Sequence, residues 1–270
     1  MRVSLVAFAA CALLTPACAS VGTFMSGEGE VQYAADAEEN LRKGNEALES
    51  KNYPEAQSFF EHVRTKYPYL EAAKTAELKL ADLDFDRDRF VEARDRYNTF
   101  VRIYPTHPKA EYAAFRAALT HYKDIPSDFF LLPPASEKDQ VEVRNALASM
   151  KEFLRAHPES EFTGEANKVI TEVKLRLAEH ELYVADFYAK RERWPAVVNR
   201  LKVVAKNYAG IGLDERVAFG LHDAYLKLND TLKAREALTD YIAKFPEAPA
   251  AKRAQRLLEK LPAPSPDAGS

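Results

Sequence analysis

Tyr53-Pro-Glu-Ala-Gln-Ser-Phe-Phe-Glu-His-Val-Arg-Thr-Lys-Tyr-Pro68 and, 37 residues later, Phe90-Val-Glu-Ala-Arg-Asp-Arg-Tyr-Asn-Thr-Phe-Val-Arg-Ile-Tyr-Pro105 carry small and large residues in one register. Ala56 aligns with Ala93, Phe60 with Tyr97, Val63 with Phe100, and each stretch closes on an aromatic–proline pair. His157-Pro158 and Phe245-Pro246 repeat that punctuation. A period of this size, with apolar residues three and four apart, is what stacked helix pairs produce.

Outward from these stretches the register holds. Gly44 and Ala56, Ala81 and Ala93, and His222 and Ala234 fall where two helices of a hairpin cross. Phe60 and Val63, Tyr97 and Phe100, Met150 and Phe153, Leu201 and Val204, and Leu238 and Tyr241 lie three apart on the second helix, on one buried face. Helices approach to about 8–10 Å only where side chains are small, and the large residue fills the groove beside the contact. The spacing predicts helix pairs over 37–50 with 54–66, 70–86 with 90–103, 109–123 with 139–156, 163–190 with 194–207 and 214–228 with 231–244, closed by a capping helix over 249–260. The fold class is therefore all-α: a tetratricopeptide-like superhelical solenoid of about five helical hairpins, in which each unit buries its face only against its neighbours.

Two units depart from the pattern. The third has an insertion over 125–139 with three prolines and the run Phe129-Phe-Leu-Leu132, which reads as an ordered loop pinned on a neighbouring helix. The fourth opens with a helix of about 27 residues and ends on Tyr208-Ala-Gly210 instead of a proline.

Composition agrees with helix. Of 270 residues 47% are apolar and 29% charged, with only 9 glycines, so a sizeable core is available and tight-turned β-structure is disfavoured. Residues 1–17 read as a signal peptide: Arg2, then the apolar run Val3–Leu14, then Thr15-Pro-Ala before Cys18. Twelve helical residues rise only about 18 Å, too little for a hydrocarbon core of about 30 Å, so a permanent span is a poor alternative. Small residues before a cysteine make Cys18 the expected lipidation site, although the usual leucine stands one place early, at Leu14; Cys11 is the minor candidate, and an ordinary cleaved signal the bland one. Residues 18–36, with Gly22, Gly27 and Gly29, read as lipidated cysteine and flexible tether, and 262–270, rich in proline, as a disordered tail.

Both cysteines lie within the first 18 residues, so the body beyond them holds no disulfide or thiolate. Removing the leader takes away Arg2 and no acid, leaving 37 basic against 41 acidic side chains. No basic stripe with interleaved aromatics exists, so nucleic acid is not an expected partner. The six histidines share no ligand spacing: His180-Glu181 begins like a zinc-protease helix, but Val184 stands where the second histidine is needed. Gly27-Glu-Gly29 and Gly210-Ile-Gly212 lack the continuation that cradles phosphate. No cofactor, metal or catalytic residue is expected.

Within this frame, Asn45-Glu-Ala-Leu48 with Tyr53-Pro-Glu-Ala56, Ile103-Tyr-Pro-Thr-His-Pro108, Asp128-Phe-Phe130, Arg176-Leu-Ala178 running into Glu181-Leu-Tyr-Val-Ala-Asp-Phe-Tyr188, and Trp194-Pro-Ala-Val-Val-Asn-Arg200 resemble the BamD family, lipoproteins of the outer-membrane β-barrel assembly (BAM) machine. The similarity covers roughly residues 36–245. It implies a lipid-anchored protein of the outer membrane facing the periplasm, docked through its C-terminal repeats (107–261) on a POTRA domain of BamA, with N-terminal repeats (37–106) that receive unfolded β-barrel proteins. Arg200 matches the family position associated with the BamA contact, and Arg193 and Trp194 lie beside it. Ala19 after the cysteine, in place of aspartate, fits transport to the outer membrane. The tail ends differently, which leaves contacts with other BAM lipoproteins open.

The repeat pattern suggests the same division. A curved stack offers aromatic pockets to an extended peptide, and Tyr67, Tyr69 and Tyr104 at the hairpin junctions are candidates for the substrate groove. Inter-repeat packing explains Tyr67 and Tyr104 as well, since the slot recurs. Lys190, Arg191, Arg193, Arg200, Lys202 and Lys206 concentrate positive charge in 17 residues, as a solvated face or, for Arg200, as the fork for a partner carboxylate. Another envelope adaptor of the same repeat class is the alternative function.

Overall fold

The computed structural model describes residues 31–126 and 139–262. Cys18, Cys11, the leader, the tether up to residue 30, most of the insertion and the tail beyond Pro262 lie outside them. Contacts divide the chain into Met1–Gln32 and Tyr33–Ser270, and the second unit carries the repeats.

Among the described residues eleven helices follow one another: α1 Ala37–Glu49, α2 Tyr53–Lys66, α3 Glu71–Asp86, α4 Phe90–Ile103, α5 Ala110–Lys123, α6 Val141–Ala156, α7 Thr163–Ala189, α8 Trp194–Asn207, α9 Asp214–Lys227, α10 Thr231–Lys244 and α11 Pro249–Lys260. Each packs mainly on the next, and no strand occurs among the described residues. This is the expected stack of five hairpins with a capping helix. Helix ends fall within two residues of the expected ones. An aromatic residue caps the second helix of each hairpin, and in four of five hairpins the proline that follows cannot continue the helix.

The turn inside a hairpin is also repeated. Lys51, Asp88, Glu192 and Asn229 have φ of 61°, 58°, 55° and 58°, and the next residue's N–H reaches back five residues, Asn52 to Ala47, Arg89 to Asp84, Arg193 to Tyr188 and Asp230 to Tyr225, at 2.8–3.0 Å. This left-handed closure satisfies helix-end carbonyls but costs a residue with a Cβ about 1–2 kcal/mol. Glu192→Gly is therefore expected to stabilise the protein by up to about 1 kcal/mol, read as a rise of a few degrees in melting temperature; a fall would mean that the Glu192 side chain makes a contact worth more than the strain.

Small residues at the crossings do what their spacing implied. A Cβ on Gly44 would stand 2.6 Å from Phe60 Cε1, so α1 lies directly against the buried Phe60 ring. The third hairpin follows the same logic with Ala146, Met150 and Phe153 buried.

The 27-residue α7 has a structural explanation. Its first half, through Ala166, Val169, Val173 and Leu177, belongs to the core shared by α3 to α6. Its second half, through Ala178, Leu182 and Ala185, belongs to the core built with α8 and α9. One uninterrupted helix thus serves two hydrophobic cores, with the change between Leu177 and Ala178.

The tether expected over 18–36 gives up its last four residues to the first hairpin. Tyr33 stacks on His62 at 3.9 Å between ring centres, and Asn40, fully buried, accepts from the Ala34 N–H and donates to the carbonyls of Ala34 and Asp36 at 2.7–2.9 Å. Tyr67 Oη donates to the Ala35 carbonyl at 2.8 Å.

Candidate functional site

The expected groove residues separate. Tyr67 and Tyr104 cap α2 and α4, each with its N–H bonded to the carbonyl four residues back. Tyr104 lies 5.2 Å from Phe100, as His157 lies 5.2 Å from Phe153 and Phe245 5.3 Å from Tyr241. The recurrence marks these rings as inter-repeat wedges, half-buried against the core. The Tyr104 hydroxyl is held above its ordinary pKa by burial first and by Glu77 second, while Lys74 Nζ sits 5.6 Å over its ring. Tyr69 is 97% exposed and free of such packing. The three tyrosines therefore do not line one pocket in the same way: two have a structural task, and one presents a bare ring.

Sequence reading missed a buried polar cluster beside these wedges. Asp82 on α3 accepts from Tyr97 Oη of α4 at 2.7 Å and from Tyr112 Oη of α5 at 2.8 Å, through one oxygen. Arg116 Nε donates to Tyr97 Oη at 3.1 Å, its guanidinium lies 3.7 Å over the Phe85 ring, and Asp86 stands 3.9 Å away. Burial, and then the Asp82 charge, pushes both tyrosine hydroxyls well above the usual phenol range, so they remain donors. Asp84 is likewise buried and held by Arg96 at 2.7 Å. Leu80-Ala-Asp-Leu-Asp-Phe-Asp86 looks like a solvated stripe; a helix buried on two sides turns its acids inward to partners on α4 and α5.

In the fourth hairpin, Arg200 Nη1 donates to Glu181 Oε2 of α7 at 3.0 Å, joining two helices of its own chain. Its side chain is still 40% exposed against 17% for Glu181, which leaves much of the guanidinium at the surface. Arg193 caps α8 and is exposed; Trp194, the next residue, is half-buried against the α7–α9 core. The structure thus brings Arg193 and Trp194 together at the start of α8 and places Arg200 two turns further along it. Arg191 of the same basic run lies 3.5 Å over the exposed Phe187 ring. Lys227 of α9 stands 5.9 Å over Trp194, and Arg216 pairs with Asp186 at 2.7 Å, joining α9 to α7. Pairs between helices of different hairpins cannot be found from spacing alone.

Among the described residues no group of three or more His, Cys, Asp or Glu side chains could hold a metal ion, and no helix is long and apolar enough to cross a membrane.

Comparison with known proteins adds the identity of the repeat array. A family model described as outer membrane lipoprotein matches residues 33–216, and a tetratricopeptide-repeat model matches 223–248. The chain is 28% identical over 238 residues to the outer membrane protein assembly factor BamD of Haemophilus influenzae, covering 85% of this chain and 90% of that one. It is 29% identical over 165 residues to the BamD of Vibrio cholerae (60% and 68%), and 25% identical over 249 residues to that of Neisseria meningitidis serogroup B (90% and 92%). Among solved structures it is similar to the TPR2AB domain of yeast Sti1 in its HSP90 complex, with a TM-score of 0.45, 14% identity and 83% of each chain covered. The match over 33–216, running from the docked Tyr33 through the two-core helix to α9, places this chain in the outer membrane lipoprotein family YfiO.

Proposed function

We propose that this protein is a non-enzymatic scaffold of the outer membrane that serves assembly of β-barrel proteins. The observation that carries the reading is the family match over 33–216, joined to relatives named as outer membrane protein assembly factors along most of their length. A rigid helical stack supports such a role because it can hold two partners at a fixed separation without ordering cost.

In this reading Cys18 carries the lipid anchor and the body faces the periplasm. The fourth hairpin, with Arg200, Arg193 and Trp194, docks on a POTRA domain of the barrel-forming subunit. Tyr69 is the residue of the expected groove best suited to receive unfolded β-barrel chains, with Tyr67 and Tyr104 shaping the junctions beside it. The exposed part of the Arg200 fork suits a partner carboxylate, and the Glu181 pair holds the guanidinium in place for it.

Arg200→Glu places two acids together and removes the fork. It is expected to cut co-purification of the barrel-forming subunit at least tenfold and lower steady-state barrel proteins, with helix content by circular dichroism unchanged; undiminished co-purification would remove the docking assignment. For the anchor, wild-type protein should remain with membranes through a high-salt wash while Cys18→Ser becomes soluble, since several acyl chains hold far more firmly than one. Release of wild type by salt would defeat it.

A further inference from the structure

The capping helix α11 closes the stack with one face uncovered. Ala250 and Ala254 seat it on the core of α9 and α10, with Ala251 buried beside them. On the opposite face Lys252, Arg256 and Lys260 recur four apart, all exposed and none in an ion pair among the described residues. Arg253 leans away from them, over the Phe219 ring at 4.3 Å and 3.9 Å from Glu215. A solenoid needs a polar outer face at its end, and mixed charge serves that need. Instead α11 carries four bases and one acid, Glu259, on a chain with 38 bases and 41 acids.

The same corner carries bare apolar side chains. Four hairpin turns share the left-handed residue, and the position before it holds Ser50, Arg87 and Arg191 in three of them but Leu228 in the last. Leu228 and, four residues on, Leu232 are both exposed. Arg235, one turn beyond Leu232 on α10, donates to the Leu261 and Pro262 carbonyls at 3.1 and 2.9 Å, so the end of α11 lies beside this turn. The turn's acid, Asp230, is taken by Lys233 at 2.6 Å, and Glu236 and Glu259 are the acids left exposed nearby.

We infer that this corner rests on the surface of an anionic bilayer, with the α11 cations on phospholipid phosphates and the two leucines in the headgroup layer. Cations about 6 Å apart along an open row suit many equivalent phosphates better than the few fixed carboxylates of a folded partner. Protruding leucines need an apolar layer beneath the charge, which a bilayer supplies. The inference rests on the outer membrane as the protein's place, which the family match supports.

The test uses protein made without residues 1–18, which removes any lipid and leaves the unit Tyr33–Ser270 whole. It is floated with vesicles of phosphatidylcholine alone and of phosphatidylcholine with phosphatidylglycerol in equal parts. Binding is expected to the anionic vesicles alone and to be lost in high salt. Each cation near an anionic surface is worth about fivefold in partitioning, so Lys252→Gln, Arg256→Gln and Lys260→Gln together should weaken it about a hundredfold. The charge-conserving set Lys252→Arg, Arg256→Lys and Lys260→Arg should bind as wild type, and Leu228→Ser with Leu232→Ser should bind several-fold less. Equal binding to neutral vesicles, undiminished binding by the three-glutamine variant, or equal loss in the charge-conserving set would overturn the inference. Capture by soluble polyglutamate with the vesicles left bare would assign the row to an acidic protein and overturn it as well. If depleted cells kept their barrel proteins while the vesicles still bound, the scaffold reading would fall and the bilayer contact stand; lost barrels without vesicle binding would give the reverse.

Discussion

Gly44→Val is expected to lower the melting temperature by roughly 5–10 °C. Two effects oppose. Replacing a mid-helix glycine by a residue with a Cβ gains about 0.5–1 kcal/mol of helix propensity, less for valine than for alanine. Against this, the new Cβ would stand 2.6, 2.9 and 3.1 Å from three atoms of the Phe60 ring, and Phe60 is fully buried. Overpacking of this kind costs about 1–3 kcal/mol, and valine adds two methyl groups to it. Sterics therefore win. Phe60→Leu added to Gly44→Val should recover part of the loss, a non-additivity that thermal melts of the two single variants and the double variant would measure. A melting temperature above wild type would mean that α1 and α2 do not cross at this glycine.

Asp82→Ala should cost about 3 kcal/mol, seen as a fall of about 6–12 °C. The carboxylate is the shared acceptor of two tyrosine hydroxyls from two helices, with Lys79 at 3.6 Å, and its loss leaves buried donors with nothing to replace water. Adding Tyr97→Phe removes one stranded donor and should restore about 1 kcal/mol or more of the loss. If Asp82→Ala melts with wild type, the cluster is an ornament of the surface and not a tie between α3, α4 and α5.

The two cases divide what was legible in the chain from what was not. Gly44, Ala56 and Ala93 announce the crossings because close approach of helices admits few residue types, and the aromatic–proline pairs announce the ends because proline cannot continue a helix. The length of α7 was legible for the same reason, there being no proline from Thr163 to Ala189 and no glycine after Gly164 in the first turn. Its division between two cores was not, since apolar periodicity runs through Leu177 and Ala178 without interruption. Asp82 and Asp84 went unmarked in the sequence because charge on a helix is usually exposed; only the packing of α3 against two neighbours turns them inward. Tyr33 and Asn40 were hidden likewise, as their partners lie on other segments or in the backbone. Of the site, the grouping of Arg193 and Trp194 followed from adjacency, and the residue to which Arg200 is tied, Glu181, emerged only when α7 and α8 were laid side by side.

The role assigned to this stack is tested most directly by depleting the protein in its own cells and measuring newly made outer-membrane β-barrel proteins by heat-modifiable gel mobility. Folded barrels of many kinds are expected to fall together within a few generations, while soluble periplasmic proteins keep their levels, and a plasmid copy of the wild-type gene should restore them. Normal barrel folding in depleted cells, with a defect confined to division or wall synthesis, would contradict the account.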